Sequence, residues 1–478
     1  MFWIRLIVLS CVLLLCGCPS NSQTSQTGGE ESEAADAIKM AGPLRVLVLN
    51  DPEFAQILRR EWLARSENEV EFRDETEANL LTLLQDEKQR LDTDVIIFPT
   101  RLLGRLSEGR LLRALPPKLT SASLDSDESS FNLADIHRVV SRKEMQWDRR
   151  EVAVSLGSPV PMLLTRPDLL PEPPTTWADL DTTIEELKTS LPSGAKAFAQ
   201  PLGKGWAARL FLSRSAAYLW EPSRVSSFFD YSNMKPQISG APFVRALEEM
   251  QATFIEEDTA VDPSDVFSAF MSGEIAMAIT WPHNSITQAE PIAFGIAISE
   301  LPGTSQQYDR TNDGWVSFED EEQVRRVTVA GHSGRLAAIS RSAKNANSAG
   351  NFLSWVAGVE YSSQLCPRST VSAPFRKSHA STAKNWCDAR LSETTVSQYA
   401  TTLESALTRP EAYVSIRIPG QEKYMNVLDQ HVLECLRGDV EAKDALEKVS
   451  VAWEKITNEL GREKQIAAYR HSLGISVD

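Results

Sequence analysis

Between Leu44 and Pro99 the chain alternates short apolar, β-branched runs with amphipathic stretches, and this alternation restricts the fold more than any other feature. Leu44-Arg-Val-Leu-Val-Leu-Asn50 has the character of a strand buried on both faces. Asp51 and Pro52 then supply an N-cap and a first-turn proline for a helix with Phe54, Ile57, Leu58 and Trp62 on one face. A second strand is expected over 69–72, and a helix over 77–91 with Leu80, Leu81, Leu84 and Leu91 inward. Residues 94–98 read as a third buried strand, stopped by Pro99. Elements in the order βαβαβ form a parallel sheet flanked by helices, and such sheets bind ligands beyond the carboxyl ends of their strands. Here those ends are Asn50-Asp51 and Pro99-Thr100.

The rest of the chain extends the α/β pattern. An acidic, serine-rich stretch over 120–130 reads as a surface loop, and an apolar strand over 152–164 is interrupted at Gly157-Ser158-Pro159. Helices are expected at 205–218, 242–254 and 264–271, with a helix led by Thr175-Thr176-Trp177 before them and a strand over 274–281 after them. From Ala383 to Leu460 the pattern is helical. Acidic residues outnumber basic ones by 65 to 49, which argues against partners that are phosphate backbones or anionic lipid surfaces, so no nucleic acid is expected.

The N-terminus carries Arg5, an apolar run to Leu15, and then Cys16-Gly17-Cys18. This is the pattern of a secretory signal, too short to span a bilayer as a mature helix. Leu15-Cys16-Gly17-Cys18 resembles the bacterial lipobox, with Cys16 where Ala or Ser is usual; the resemblance implies cleavage after residue 17 and acylation of Cys18. Residues 18–42 are rich in Ser, Gln, Thr, Gly and Glu and read as a flexible tether. The expected product is an extracytoplasmic body, periplasmic or at the cell surface, held to a membrane by the lipid anchor alone. Loss of Arg5, the only charged residue in the leader, takes the net charge from −16 to −17.

Beyond Cys18 only Cys366, Cys387 and Cys435 remain. In an oxidising compartment Cys366–Cys387 is the nearer pair for a disulfide, and three buried thiols is the alternative; both readings stay open. Zinc-ligand spacing is missing, and Asp309-Arg-Thr-Asn-Asp-Gly314 departs from the calcium-loop pattern, so no metal is expected and the segment reads as a polar loop. Gly331-His332-Ser333-Gly334 fails as a nucleophile elbow because Arg335 stands where the second glycine belongs. No catalytic residue and no cofactor is expected.

Several segments, in order, resemble the extracellular solute-binding proteins of bacterial ABC importers, in the branch that includes many sugar binders. They are Trp147 to Val154, Met162 to Leu169 with Pro174-Thr-Thr-Trp-Ala-Asp-Leu180, and Phe267 to Met277 with Trp281. Gly331 to Ile339, Ser372 to Arg376 and Leu436 to Leu446 continue the series. The resemblance implies a two-lobed periplasmic-binding-protein-like fold, each lobe a mostly parallel sheet flanked by helices, joined by a hinge. Lobe one would comprise 43–152 and 292–362, lobe two 153–291 and 363–478. It further implies a monomer that closes on a small solute, a sugar or oligosaccharide, and delivers it to permease subunits.

A sugar cleft needs apolar faces for ring C–H groups and polar groups for hydroxyls. Trp62, Trp355 and Trp453 fall on apolar helical faces and read as core, and Trp177 as packing within its own lobe. Trp206, Trp281 and Trp315 lie near glycines, prolines or strand ends, where a cleft would form. The polar candidates are Asn50, Thr100, Ser158, His332 and Ser333, with Gly157 at the strand interruption. Asp51 reads as a helix cap. A surface lipoprotein enzyme acting on extracellular polymer would need clustered carboxylates or a triad, and a solute sensor docking to a membrane receptor would share the same lobes.

Overall fold

The computed structural model describes residues 43–475, without 67–68, 85–89, 121–130, 193, 222–225, 257, 259–260, 285–290, 321–322 and 370. The leader, Cys18 and the tether therefore lie outside the described residues, as does nearly all of the serine-rich stretch. No helix among the described residues is long and apolar enough to cross a membrane.

The opening follows the sequence pattern. Strand β1 (Leu44–Leu49) leads into helix α1 (Pro52–Leu63), where Asp51 accepts a hydrogen bond from Phe54 N at 2.9 Å. Strand β2 (Val70–Glu75), helix α2 (Glu77–Leu83) and strand β3 (Val95–Pro99) follow, and β1 pairs in parallel with both β2 and β3. Helix α2 is shorter than the apolar spacing predicts, though Leu80, Leu84 and Leu91 are all buried. The helix expected after Pro174 begins at Trp177, with Thr176 and Asp179 forming a reciprocal capping box.

Two sheets organise the body. The first runs β2-β1-β3, then Arg335–Ile339, then Val154–Ser155. The second runs Ala297–Glu300, Met162–Thr165, Ile275–Thr280, Lys196–Ala199. Both are mixed, which corrects the expectation of mostly parallel sheets. Arg335–Ile339 lies antiparallel to β3, and Met162–Thr165 is antiparallel to both of its neighbours. The physical reason is connectivity. A parallel neighbour needs a crossover that carries the chain back to its starting end, whereas Met162–Thr165 is entered directly from Val154–Ser155 of the first sheet and Arg335–Ile339 from Thr328–Ala330 of a separate two-stranded sheet.

Two strands pair across the lobe division expected from sequence. Ala297–Glu300, placed from sequence with 292–362, pairs with Met162–Thr165 in the second sheet. Val154–Ser155, placed with 153–291, pairs with Arg335–Ile339 in the first. Side-chain alternation puts Leu47 and Leu49 in one apolar cluster and Val46 and Val48 in another, and each cluster draws on both sheets. Trp453 and Trp177 are buried, Trp62 packs edge-on against Trp355 at 5.2 Å, and all four serve the core as read from sequence. The late helical region is interrupted by the strand Ala412–Val414, which pairs in parallel with Thr328–Ala330.

The chain passes from the first sheet to the second between Leu156 and Pro161. There Gly157 has φ +142°, and a Cβ on it would stand 2.7 Å from both Ala373 N and Ser372 Cα. Gly334 has φ +103°, and its Cβ would meet Gly157 O at 2.6 Å. The glycines are needed for backbone approach. Leu156 N donates to Arg335 O at 2.8 Å, Arg335 N to Gly157 O at 3.1 Å, and Thr100 N to Gly334 O at 3.2 Å.

Beside this crossing a single π turn, Val140–Glu144, buries the Glu144 carboxyl completely. Ser158 Oγ donates to it at 2.6 Å, and Arg417 is the charged group facing it. Burial pushes Glu144 up to about 7, against the opposing pull of Ser158, Arg417 and the Gly331 N–H.

Of the two readings left open for the cysteines, the structure has the three buried thiols: Cys366, Cys387 and Cys435 are free and buried. Cys366 Sγ lies 3.6 Å from Val356 O, and burial pushes both Cys366 and Cys387 up to about 12. The two cysteines behave as small apolar core residues within one apolar cluster.

Two outcomes are expected. Gly334→Ala should lower unfolding free energy by about 2 kcal/mol or more, read from urea midpoints, because backbone rather than a flexible side chain blocks the new methyl. Glu144 holds its proton in the folded state above the ordinary value of 4.5, so its contribution is complete below 4.5 and is lost as pH rises towards 7. Buried His137, lowered to about 4, gives the opposite slope, so the comparison must be between variant and parent. Glu144→Gln should gain stability relative to the parent between pH 5 and pH 8. A constant difference across that range would disprove the assignment.

Candidate functional site

The carboxyl ends of β1 and β3 and the turn before Arg335 meet at the crossing. Thr100 is buried, and its hydroxyl has no protein partner. Its methyl would touch a Cβ added to Gly331, where φ is +77°. His332, next in the turn, is 3 % exposed, and neither ring nitrogen has a hydrogen-bond partner. Burial, reinforced by the charge of Arg209, lowers His332 to about 3, so the ring is neutral throughout the physiological range.

Arg209 belongs to the helix Trp206–Leu219 that follows the glycine turn Gly203-Lys-Gly205. Its guanidinium lies 4.7 Å from the Trp206 ring, and Trp206 packs against Trp281 at 5.5 Å. Burial and the nearby Arg101 lower Arg209 to about 10, while Asp429, Asp262 and Glu77 favour its charge. The helix start is fixed from a distance, since Asp429 accepts from Gly205 N at 2.8 Å and from Ala208 N at 3.0 Å. Nothing local could cap it, because Gly205 has no side chain.

Around this group the charges are paired. Arg101 is ion-paired with Glu77, whose backbone N–H donates to Asn50 Oδ1 at 3.0 Å. Asn50 holds a left-handed backbone, φ +56°, which an asparagine tolerates. Asp51, besides capping α1, pairs with buried Arg335 at 3.0 Å and accepts from Ser369 Oγ at 2.9 Å.

The structure thus brings Thr100, Trp206, Trp281 and His332 around Arg209, with Asn50 joined to them through Glu77 and Arg101. Ser333 sits in the same turn, half-buried. Gly157 and Ser158 lie in the crossing, where Ser158 is committed to Glu144. Trp315 is elsewhere. It stands on the hairpin formed by Gln306–Asp309 and Gly314–Ser317, packed edge-on against Tyr218 at 5.5 Å and beneath Arg245 at 4.3 Å. The hairpin turn includes Asp309, whose carboxylate accepts from Thr311 N and Asn312 N.

Sequence reasoning missed Arg209, Arg101, Glu77 and Asp429. Each looks like an ordinary charged position on a helix, and only long-range packing turns it inward. Chemically, the group offers two indole faces, a fixed cation and neutral donors and acceptors. No cluster among the described residues could hold a metal ion.

A family model described as bacterial extracellular solute-binding protein matches residues 68–390. No curated protein matches at the sequence level. Among solved structures, an ABC transporter solute-binding protein from Agrobacterium radiobacter K84 in complex with ribitol superposes with TM-score 0.63 at 18% identity, covering 87% of this chain and 99% of that one. Maltose-bound MalE3 of T. maritima gives 0.61 at 16% identity, covering 86% and 100%. A cyclo/maltodextrin-binding protein complexed with maltotetraose gives 0.59 at 13% identity, covering 88% and 98%. At such identities the likeness is one of fold, an α/β arrangement of mixed sheets and flanking helices of the periplasmic-binding-protein kind. Since the family model spans more than half of the 478 residues, the chain belongs to the bacterial extracellular solute-binding protein family.

Proposed function

We propose that this protein is the lipid-anchored receptor of an ABC importer, capturing a sugar, oligosaccharide or polyol at the crossing between its two sheets. The observation that carries the reading is the group around Arg209. The Trp206–Trp281 pair supplies apolar faces, while the Thr100 hydroxyl and both His332 nitrogens are buried without partners. An unsatisfied buried polar atom costs about 1–3 kcal/mol, and a hydroxylated solute would recover that cost while stacking on indole. Neutral His332 can donate from one nitrogen and accept at the other, which suits vicinal hydroxyls.

Closure would bring the two sheets together about the Leu156–Pro161 and Gly331–Gly334 segments, one lobe on each sheet. A lipid on Cys18 and the 18–42 tether would keep the captured solute beside the permease subunits, with the receptor acting as a monomer. The carbohydrates and polyol named with the structural neighbours fit the same chemistry. Closure chemistry of this kind needs no catalytic group and no cofactor.

Thermal unfolding of the full chain against sugars and polyols tests this. A true solute at a hundredfold excess over its Kd should add about 2.7 kcal/mol of stability. Thr100→Val keeps the shape and removes an unpartnered hydroxyl, so it should leave the unliganded melting point unchanged or slightly higher while weakening solute binding about tenfold. Absence of stabilisation by every sugar and polyol, or full affinity in the valine variant, would count against the reading.

A further inference from the structure

A cavity of about 300 Å³, room for roughly ten waters, lies beside the last strand, with none of the Arg209 group in its lining. It is bounded by the segment 142–149, by the last strand and the residues that follow it over 412–417, and by the end of the final helix at 469–474. Its composition is unusual for a chain of net charge −16: Arg142, Lys143, Arg149, Arg417 and His471 line it, and among the described residues no Asp or Glu does. Two carboxylates stand just behind the lining, and one of them, Glu108, pairs with His471. Glu108 accepts from Trp147 Nε1 and meets His471 Nδ1, each at 2.7 Å, and Glu144 accepts from Ser158.

Two lining side chains are nearly fully buried and keep an unpartnered polar atom. Arg417, 3 % exposed, gives its terminal nitrogens to the carbonyls of Glu144 and Gln146 at 2.8 and 3.0 Å, yet its Nε has no acceptor. Ser227, 2 % exposed, has a hydroxyl without a partner. Lys143, whose side chain still reaches solvent, is lowered by the desolvation of its surroundings and by the charges of Arg417 and Arg138. The apolar part of the lining is aromatic and continuous: Tyr413 lies 5.5 Å from Trp220 and 6.2 Å from Phe228.

We infer that this cavity, between Arg142, Lys143, Arg417 and the rings of Trp220, Phe228 and Tyr413, is a second ligand site for a small organic anion. The occupant carries a carboxylate or phosphate on a ring or short apolar body. The anion meets the cations by charge-assisted hydrogen bonds, and the ring fills the aromatic part. The site shares no lining residue with the proposed solute group, its Val414 standing near Gly331, and does not depend on that reading.

Calorimetry on the full chain tests it with phenyl phosphate and benzoate as the two anionic arms, benzyl alcohol as the neutral analogue and inorganic phosphate as the bare anion. One-to-one binding of phenyl phosphate or benzoate, weaker binding of inorganic phosphate and none of benzyl alcohol is expected. The stronger of the two aryl anions identifies the head group. Arg142 and Lys143 are exposed, so Arg142→Gln with Lys143→Gln should melt like the parent and bind the aryl anion about tenfold more weakly. Ser227→Ala should weaken binding, and Thr100→Val should leave it unchanged. Three results would each overturn the inference: no saturable heat from either aryl anion up to about 10 mM, unaltered affinity in the double variant, or loss of binding in Thr100→Val, which would place the anion in the solute group.

Discussion

The contact on which the rest of the structure depends is backbone against backbone, where the Gly157 carbonyl meets Arg335 N and the Gly334 carbonyl meets Thr100 N. Three segments distant in sequence are joined there within hydrogen-bond distance, and side chains are excluded on both sides. Because Val154–Ser155 leaves the first sheet at this point and Arg335–Ile339 enters it, the same few peptide groups fix how the sheets connect. They also decide which strand ends face one another. A β-carbon at either glycine would separate the strands before it disturbed anything else.

The charges near this contact are solvated by the protein in three different ways. Arg335 is held by the Asp51 carboxylate, Arg417 by two peptide carbonyls, and Arg209 by the face of Trp206 and the fields of Asp429, Asp262 and Glu77. An isolated buried charge costs several kcal/mol, so each arrangement must be kept intact for the fold to tolerate it. Arg417 gives only its terminal nitrogens to those carbonyls, and its Nε is left without an acceptor. Glu144 takes the opposite course. Buried without a bidentate cation, its carboxyl tends to keep its proton near neutrality.

Much of the fold was legible because its signals are local. The alternation in 44–99, the Asp51-Pro52 start, the capping box at Thr176 and the apolar faces bearing Trp62 and Trp453 need no knowledge of distant residues. Thr100 and His332 could be proposed as site positions because strand ends and glycine turns are visible in sequence, and Trp206 and Trp281 because they flank such turns. Trp315 shows the limit of that argument. It too lies beside a glycine, but the turn belongs to a separate hairpin, and nothing in the spacing distinguishes a hairpin glycine from a crossing glycine. The direction of Arg335–Ile339, the two exchanged strands and the free cysteines depend on where the chain returns from, which periodicity does not encode. Arg209 and Asp429 become neighbours of the crossing only through helix packing, 220 residues apart in sequence.

Net charge misled least where it was asked least. An excess of acidic residues argues against long polyanions, since contact with many phosphates requires an extended basic surface. It does not describe the field inside a small concavity. At physiological salt, exposed charges are screened beyond about 8 Å, so a pocket responds to the groups that line it and hardly to the remainder of the surface. A lining with Arg142, Lys143 and Arg417 and no carboxylate is therefore locally cationic on a globally acidic body. The surrounding negative surface adds selectivity of its own. Weakly held anions gain little from bulk attraction, and only one that satisfies buried donors such as Arg417 Nε and Ser227 Oγ while covering the aromatic lining would remain.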